Sequence, residues 1–320
     1  MSKECPPDER GRELLLFAAV VILAAITASS FAQAARSETQ TAIQLYTSTG
    51  SGVARIYPNG SVEILQGISS GYSLEILNNK LYVNKGSKIM AYTLDGVNVK
   101  NISTPSNVSF LTFVVLPDER VALMDNENDK IYFVNSTGTL IATVNIRDYP
   151  DDTLQNLDGI VVNNTLIFSE DGDRNVLRID LTTYEVSVFK NLSAMYSWVG
   201  HITYSNGSFY ATGPKSIYRF SEVGNITKVA EVAEGNIAGI VVADGYAYVA
   251  VNFAGKVYRV NLQDGTSTVL ATGLNYPKDL EMIATEVQAT GGSTDTALYI
   301  AVVIAAAAII GAAIYYLRRK

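Results

Sequence analysis

Cysteine, histidine and tryptophan each occur once in 320 residues, as Cys5, His201 and Trp198. One cysteine near the start excludes an internal disulfide framework and any Cys–His zinc spacing. One histidine excludes an H-E-x-x-H motif and leaves any serine triad a single imidazole to use. No Gly-rich phosphate loop follows a strand signal either, so the residues point away from conventional nucleophilic or phosphoryl chemistry. Positive charge is scarce as well. Residues 35–296 carry 18 Lys plus Arg against 27 Asp plus Glu. Such a surface repels polyanions, so nucleic acid and acidic lipid headgroups are not expected partners.

What the chain does have begins with two long apolar runs. The first, "LLLFAAVVILAAITASSFA" over 14–32, follows Arg10 and Arg12 and ends at "AQA". A basic start, an apolar stretch and a small-residue site are the parts of a secretory signal peptide over 1–34, the alternative being an uncleaved anchor. The second, "ALYIAVVIAAAAIIGAAIYYL" over 297–317, contains no charged residue and is followed by Arg318, Arg319 and Lys320. As a helix it would measure about 31 Å, the thickness of a bilayer's hydrocarbon core. The Tyr315–Tyr316 pair and the basic tail 318–320 set the expected orientation, with the C-terminus cytoplasmic. The expected arrangement is a single-pass membrane protein with residues 35–284 outside the cell, tied to the span by a flexible tether over 285–296. Eight N-x-[ST] sequons fall in the exported part, at Asn59, Asn101, Asn107, Asn135, Asn163, Asn191, Asn206 and Asn225. They are candidate N-glycosylation sites.

Between the apolar runs the sequence repeats. "VARI" at 53, "IMAY" at 89, "IYFV" at 131, "VLRI" at 176, "IYRF" at 217 and "VYRV" at 257 recur at intervals of 36, 42, 45, 41 and 40 residues. Repeats near 40 residues, built from short β-branched and aromatic runs, are the mark of propeller blades. Asn-Gly and Asp-Gly turns follow the copies, as in "PNG" and "LDG", and signal hairpins. An apolar run and a further strand precede most copies, giving four strands per unit, A to D outward. The expected fold is all-β: a six-bladed β-propeller of four-stranded blades. Its first unit begins at a B strand, 42–48, and lacks an A strand, whereas 276–284, "YPKDLEMIA", reads as an A strand without a B. Pairing the two would close the ring and remove the open edge. The arginines at one position of the C strand (Arg55, Arg178, Arg219, Arg259) read as staples between blades.

The blade pattern resembles the six-bladed propellers of the NHL-repeat and gluconolactonase-like (calcium-dependent lactonase) families. The likeness is clearest at 156–183, "NLDGIVVNNTLIFSEDGDRNVLRIDLTT", and 273–283, "GLNYPKDLEMI". The lactonase resemblance implies Ca2+ at the mouth of the channel, held by acidic residues from several blades. At the position before the A strand's "GI" this chain has Asp158, while Ala238 and Gly200 stand at the corresponding places of other blades. Asp279 or Lys278 occupies it in the last strand. Candidate channel-mouth residues are therefore Asp158, Trp198, His201 and Asp279. That is few oxygens for calcium, which takes six to eight.

One further cluster stands out. The loops 125–130, 147–158 and 169–175 should lie on one face of neighbouring blades. They bring together Asp125, Glu127, Asp129, Asp148, Asp151, Asp152, Asp158, Glu170, Asp171 and Asp173. Such a patch could hold a cation or meet a basic partner. Together these features point to a membrane-anchored cell-surface module that binds a protein, glycan or envelope component through the face away from the membrane. A calcium-dependent lactonase or hydrolase on the same scaffold is the alternative.

Overall fold

A computed structural model of the chain describes residues 40–106, 108–125, 127–146, 158–170, 175–193 and 199–287. Its compact unit runs over Ile43–Ala284; the remainder of the chain forms a second unit lying almost wholly outside the described residues. The expected signal peptide and membrane span fall there, as does the expected tether 285–296 except for its first three residues, which end the last strand, Glu281–Val287, instead of forming linker.

Among the described residues, twenty-four strands, numbered β1 to β24 in chain order, make six four-stranded antiparallel sheets. Five are simple meanders of consecutive strands. The sixth has the order β24-β1-β2-β3, with β24 (Glu281–Val287) beside β1 (Gln40–Thr49), followed by β2 (Gly52–Ile56) and β3 (Val62–Ile64). We call it blade 1. The last strand of the ring thus completes the first blade, as the unpaired A and B strands require.

Local chemistry explains the meanders. The A–B turns of blades 2 and 4 place Asn78 and Asn79, and Asn163 and Asn164, at positive φ. Asn206-Gly207 and Asp244-Gly245 do the same in blades 5 and 6. Two residues in the left-handed region make the turn whose twist matches antiparallel strands, and Asn, Asp and Gly adopt it at least cost.

Burial follows strand position. β9 (Val121–Asp125), a B strand, is buried at all five positions, whereas β3, a D strand, is exposed at all three. Inner strands are covered on both faces by the neighbouring blades and read as continuous apolar runs. The core accordingly divides into six clusters, one per blade interface. The interface of blades 3 and 4 contains Phe133, Leu166, Phe168 and Ile179. That of blades 6 and 1, where the ring closes, is of the same kind, with Leu45, Ile56, Val257 and Leu280. Ile283, on the same closing strand as Met282, packs instead against the interface of blades 1 and 2.

Two of the four C-strand arginines act across an interface. Arg55 of blade 1 reaches the Leu94 carbonyl and sits 3.1 Å from Asp95 in blade 2. Arg178 of blade 4 pairs with Glu222 of blade 5 at 2.7 Å. Arg219 and Arg259 are exposed, and Arg259 lies 3.7 Å over the Tyr246 ring of its own blade. The repeated arginine is therefore a blade-to-blade staple at two positions and a surface residue at the other two.

Candidate functional site

The six A strands surround a cavity of about 350 Å³ on the axis, and every one of them contributes to its wall. Most of the lining residues are apolar, Leu77, Val115, Ile160, Ile202 and Ile240 among them; four carboxylates, Glu75, Asp158, Asp279 and Glu281, stand between them. Strand register shows why these acids meet. Asp158 faces Ser169 in blade 4, and Ile202 faces Ala211 in blade 5, which sets His201 opposite Thr212. Ser169 and Thr212 in turn face Val176 and Ile217, the equivalent starts of the repeated C strands. His201, not Gly200, is therefore the blade-5 counterpart of Asp158. In blade 6 a bulge between Ile237 and Ile240 places Ala238 and Gly239 together at this level.

Lys278 donates its backbone amide to the Ser48 carbonyl in blade 1, and Asp279 rather than Lys278 lines the cavity. Asp158, His201 and Asp279 thus occupy one tier at the end of the channel bounded by the D–A connections. Two residues further on, on the same face of their strands, come Glu75 and Glu281.

These acids join blades. The Asp279 carboxylate accepts the Leu74 amide of blade 2 at 3.1 Å as well as the Leu280 amide at 2.8 Å. Asp158 accepts the Ile202 amide of blade 5 at 3.0 Å and the Gly159 amide at 2.9 Å. Glu75 accepts the Val115 amide of blade 3 at 2.6 Å. Each bond satisfies a backbone donor at a point where the inner strands have no sheet partner across the blade boundary. Asn84 and Asn252 make the matching contacts one strand out, donating to the Phe110 and Pro277 carbonyls.

Electrostatics set this tier apart. His201 Nδ1 lies 3.2 Å from the Asp158 carboxylate, close enough for a charge contact, although its direction is not that of a proper hydrogen bond. Burial opposes the imidazolium, but Asp158 and then Asp279 outweigh it, and the His201 pKa ends above its ordinary value. Burial, reinforced by neighbouring Asp158, pushes Asp279 up to about 6. Burial and like charge also hold Glu75 and Glu281 well above the usual carboxylate range. Side chains of this tier still touch water-sized space; those of His201 and Asp158 keep 21% and 18% of their surface. They stand in the recess between the A strands rather than on the open surface, so their charges are less screened than surface charges.

The expected acidic patch resolves into different environments. Asp125 is fully buried, and its carboxylate accepts the Glu127 and Asn128 amides, so it builds its own B–C loop. Asp129 is buried at φ 53°. Glu127 is exposed on the same loop, Glu170 ends β13 (Thr165–Glu170), and Asp158 belongs to the channel. Asp148, Asp151, Asp152, Asp171 and Asp173 lie outside the described residues, as do Trp198 and the sequon residue Asn107. Of the other sequon asparagines, Asn135 is half-buried; Asn59, Asn101, Asn163, Asn191, Asn206 and Asn225 are exposed.

Sequence reasoning missed Glu75 and Glu281. The signal was present, since "SLEIL" at 73–77 and "DLEMI" at 279–283 place a glutamate between large apolar residues of an inner strand. Among the described residues no group of three or more His, Cys, Asp and Glu side chains is arranged to hold a metal ion. Three of the four channel carboxylates are already engaged by backbone amides. The channel does not fit calcium's demand for six to eight oxygens.

A second feature lies on the same face of the ring. Phe253, in the B–C loop of blade 6, is 70% exposed and meets half-exposed Tyr276 edge-on, centroids 5.5 Å apart. Tyr276 sits at φ 52°, an uncommon conformation for an aromatic residue. Its segment is fixed at both sides, because the Gly50 amide donates to the Asn275 carbonyl and Asn252 donates to the Pro277 carbonyl. Two residues on, the Lys278 ammonium lies 5.2 Å from the Tyr72 ring, which is itself half exposed.

No family model matches the chain, and no curated protein does. Solved structures match in fold. A crystal structure of a nidogen/laminin complex aligns at a TM-score of 0.61 and 11% identity, over 76% of this chain and 98% of that one. Virginiamycin B lyase from Staphylococcus aureus aligns at 0.51 and 18%, covering 78% and 83%. A streptogramin B lyase aligns at 0.52 and 16%, covering 78% and 82%. At such identities the likeness is one of architecture, in keeping with the six-bladed ring.

Proposed function

We propose that this protein is a membrane-anchored cell-surface module that binds an extracellular protein partner through the face bearing the B–C and D–A loops. One observation carries the reading: the exposed aromatic group Phe253, Tyr276 and Tyr72, with Lys278 among them. Rings held rigidly in solvent cost little entropy to bury, and aromatic side chains dominate the energetic centres of protein interfaces. The anchor rests on the apolar run 297–317 and the basic tail behind it. The chain topology agrees with such a tether, because β24 finishes and β1 starts on the face opposite the aromatic group. A photo-crosslinking residue placed at Tyr276 in intact membranes should capture a discrete protein, and one placed at Tyr57, on the opposite face, should not. Equal labelling from both positions, or capture of glycan alone at Tyr276, would refute the proposal.

A second reading is a lactonase or hydrolase on the same scaffold that works without calcium in the channel, favoured by the pairing of His201 with Asp158. One structure similar in fold is described as a catalytically inactive histidine-to-alanine variant of virginiamycin B lyase. A lactone and ester screen, with and without chelator, separates the readings. Turnover that survives the chelator and vanishes in His201→Ala would place the enzyme first.

A further inference from the structure

Four carboxylates, Glu75, Asp158, Asp279 and Glu281, and the Tyr204 phenol line one channel, and His201 stands against Asp158 at its end. They come from four blades. The other two A strands, β8 (Phe110–Val115) and β20 (Ile237–Ala243), bring no titratable residue to it. The adjacent cation, Lys278, is drawn off to the Tyr72 ring. Three of the carboxylates also bond a backbone amide of the next blade. Two of those three, Glu75 and Asp279, are also groups that burial and like charge make bind protons more tightly.

We propose that the channel lining is a pH-operated latch, in which the ring holds best when the channel carries protons and loosens as its carboxyls ionise together, because like-charge crowding among Glu75, Asp158, Asp279 and Glu281 outweighs the firmer grip an ionised carboxylate takes on its backbone amide. Protonated, the lining holds the His201–Asp158 pair beside neutral carboxyls. Deprotonated, it crowds like charges around a cavity of about 350 Å³ with no cation among the described lining residues. Like charges in an enclosed site repel strongly.

The direction of each shift agrees. Glu75, Asp279 and Glu281 bind protons more tightly in the folded chain, and so does His201. Folding therefore takes up protons, and stability falls as pH rises. For Asp279 the window runs from 3.8 to about 6, and His201 extends it above 6.5. The ring is built to close most firmly in a mildly acidic medium.

The test is thermal unfolding of the full-length protein between pH 4.5 and 8, beside Glu281→Gln and Glu75→Gln. The wild type should lose melting temperature steadily as pH rises. Each variant removes one ionising carboxyl, so it should match the wild type near pH 5 more closely than at pH 8, where it should melt higher. Glu281 makes none of the described blade-to-blade bonds, so its replacement sacrifices no latch. Amide exchange supplies the local readout: protection of Leu74 and Val115 should fall between pH 5 and 8 by more than that of Ala122, inside blade 3. A flat or rising melting curve, variants with the wild-type slope, or uniform loss of protection would each overturn the proposal.

Discussion

Replacing Gly239 with alanine tests how tightly the closing strand is held. A Cβ on Gly239 would stand 2.6 Å from the Leu280 nitrogen and 2.9 Å from the Asp279 carbonyl carbon. Both are backbone atoms, so no side chain can swing aside; the closing strand itself must retreat. Such overpacking costs about 1–3 kcal/mol. Against it stands the entropic gain of replacing glycine at a φ that alanine tolerates, about 0.4–1 kcal/mol. The net loss is then about 1–2 kcal/mol, or roughly 2–8 °C in melting temperature for a domain of this size. Because Asp279 moves with the strand, its 3.1 Å bond to the Leu74 amide should lengthen as well. Calorimetry at one fixed pH reads the first effect, and amide exchange at Leu74 reads the second. A variant that melts at or above the wild type, with unchanged Leu74 protection, would show that blade 6 and the closing strand are less tightly apposed than described.

Other expectations are simpler. Phe133→Ala removes a fully buried ring from the interface of blades 3 and 4, at a cost of about 3–5 kcal/mol in denaturant titration. Asp125→Ala leaves the Glu127 and Asn128 amides without their acceptor in a buried loop, which should cost about 1–3 kcal/mol and raise exchange locally. Arg178→Ala breaks an ion pair whose partners keep 42% and 56% of their side-chain surface, so chemical denaturation should register no more than about 1 kcal/mol.

The architecture was legible because each blade writes the same short-range message. Branched and aromatic runs of alternating burial, Asn-Gly turns, and a spare A strand at 276–284 together dictate six units and a closed ring. The channel was harder to read. Whether Gly200 or His201 matches Asp158 depends on register, and a slip of one residue exchanges the two faces of a strand. Glu75 and Glu281 stayed hidden because an isolated glutamate in an apolar strand looks like an edge residue until the strand is known to face the axis. The acidic loops erred the other way. Asp125 looked like a surface charge, yet its carboxylate is used inside to satisfy two amides.

The strand order of blade 1 also governs when the ring can form. Leu280 packs between blades 6 and 1, Ile283 is shared with the interface of blades 1 and 2, and both belong to the last stretch of propeller to be synthesised. Every earlier blade can hydrogen-bond its own four strands as it emerges, while the first waits with β1 bare along one side. Circularisation thus waits until the last propeller strand has been made, and until then the nascent chain exposes an adhesive strand that only that strand should cover.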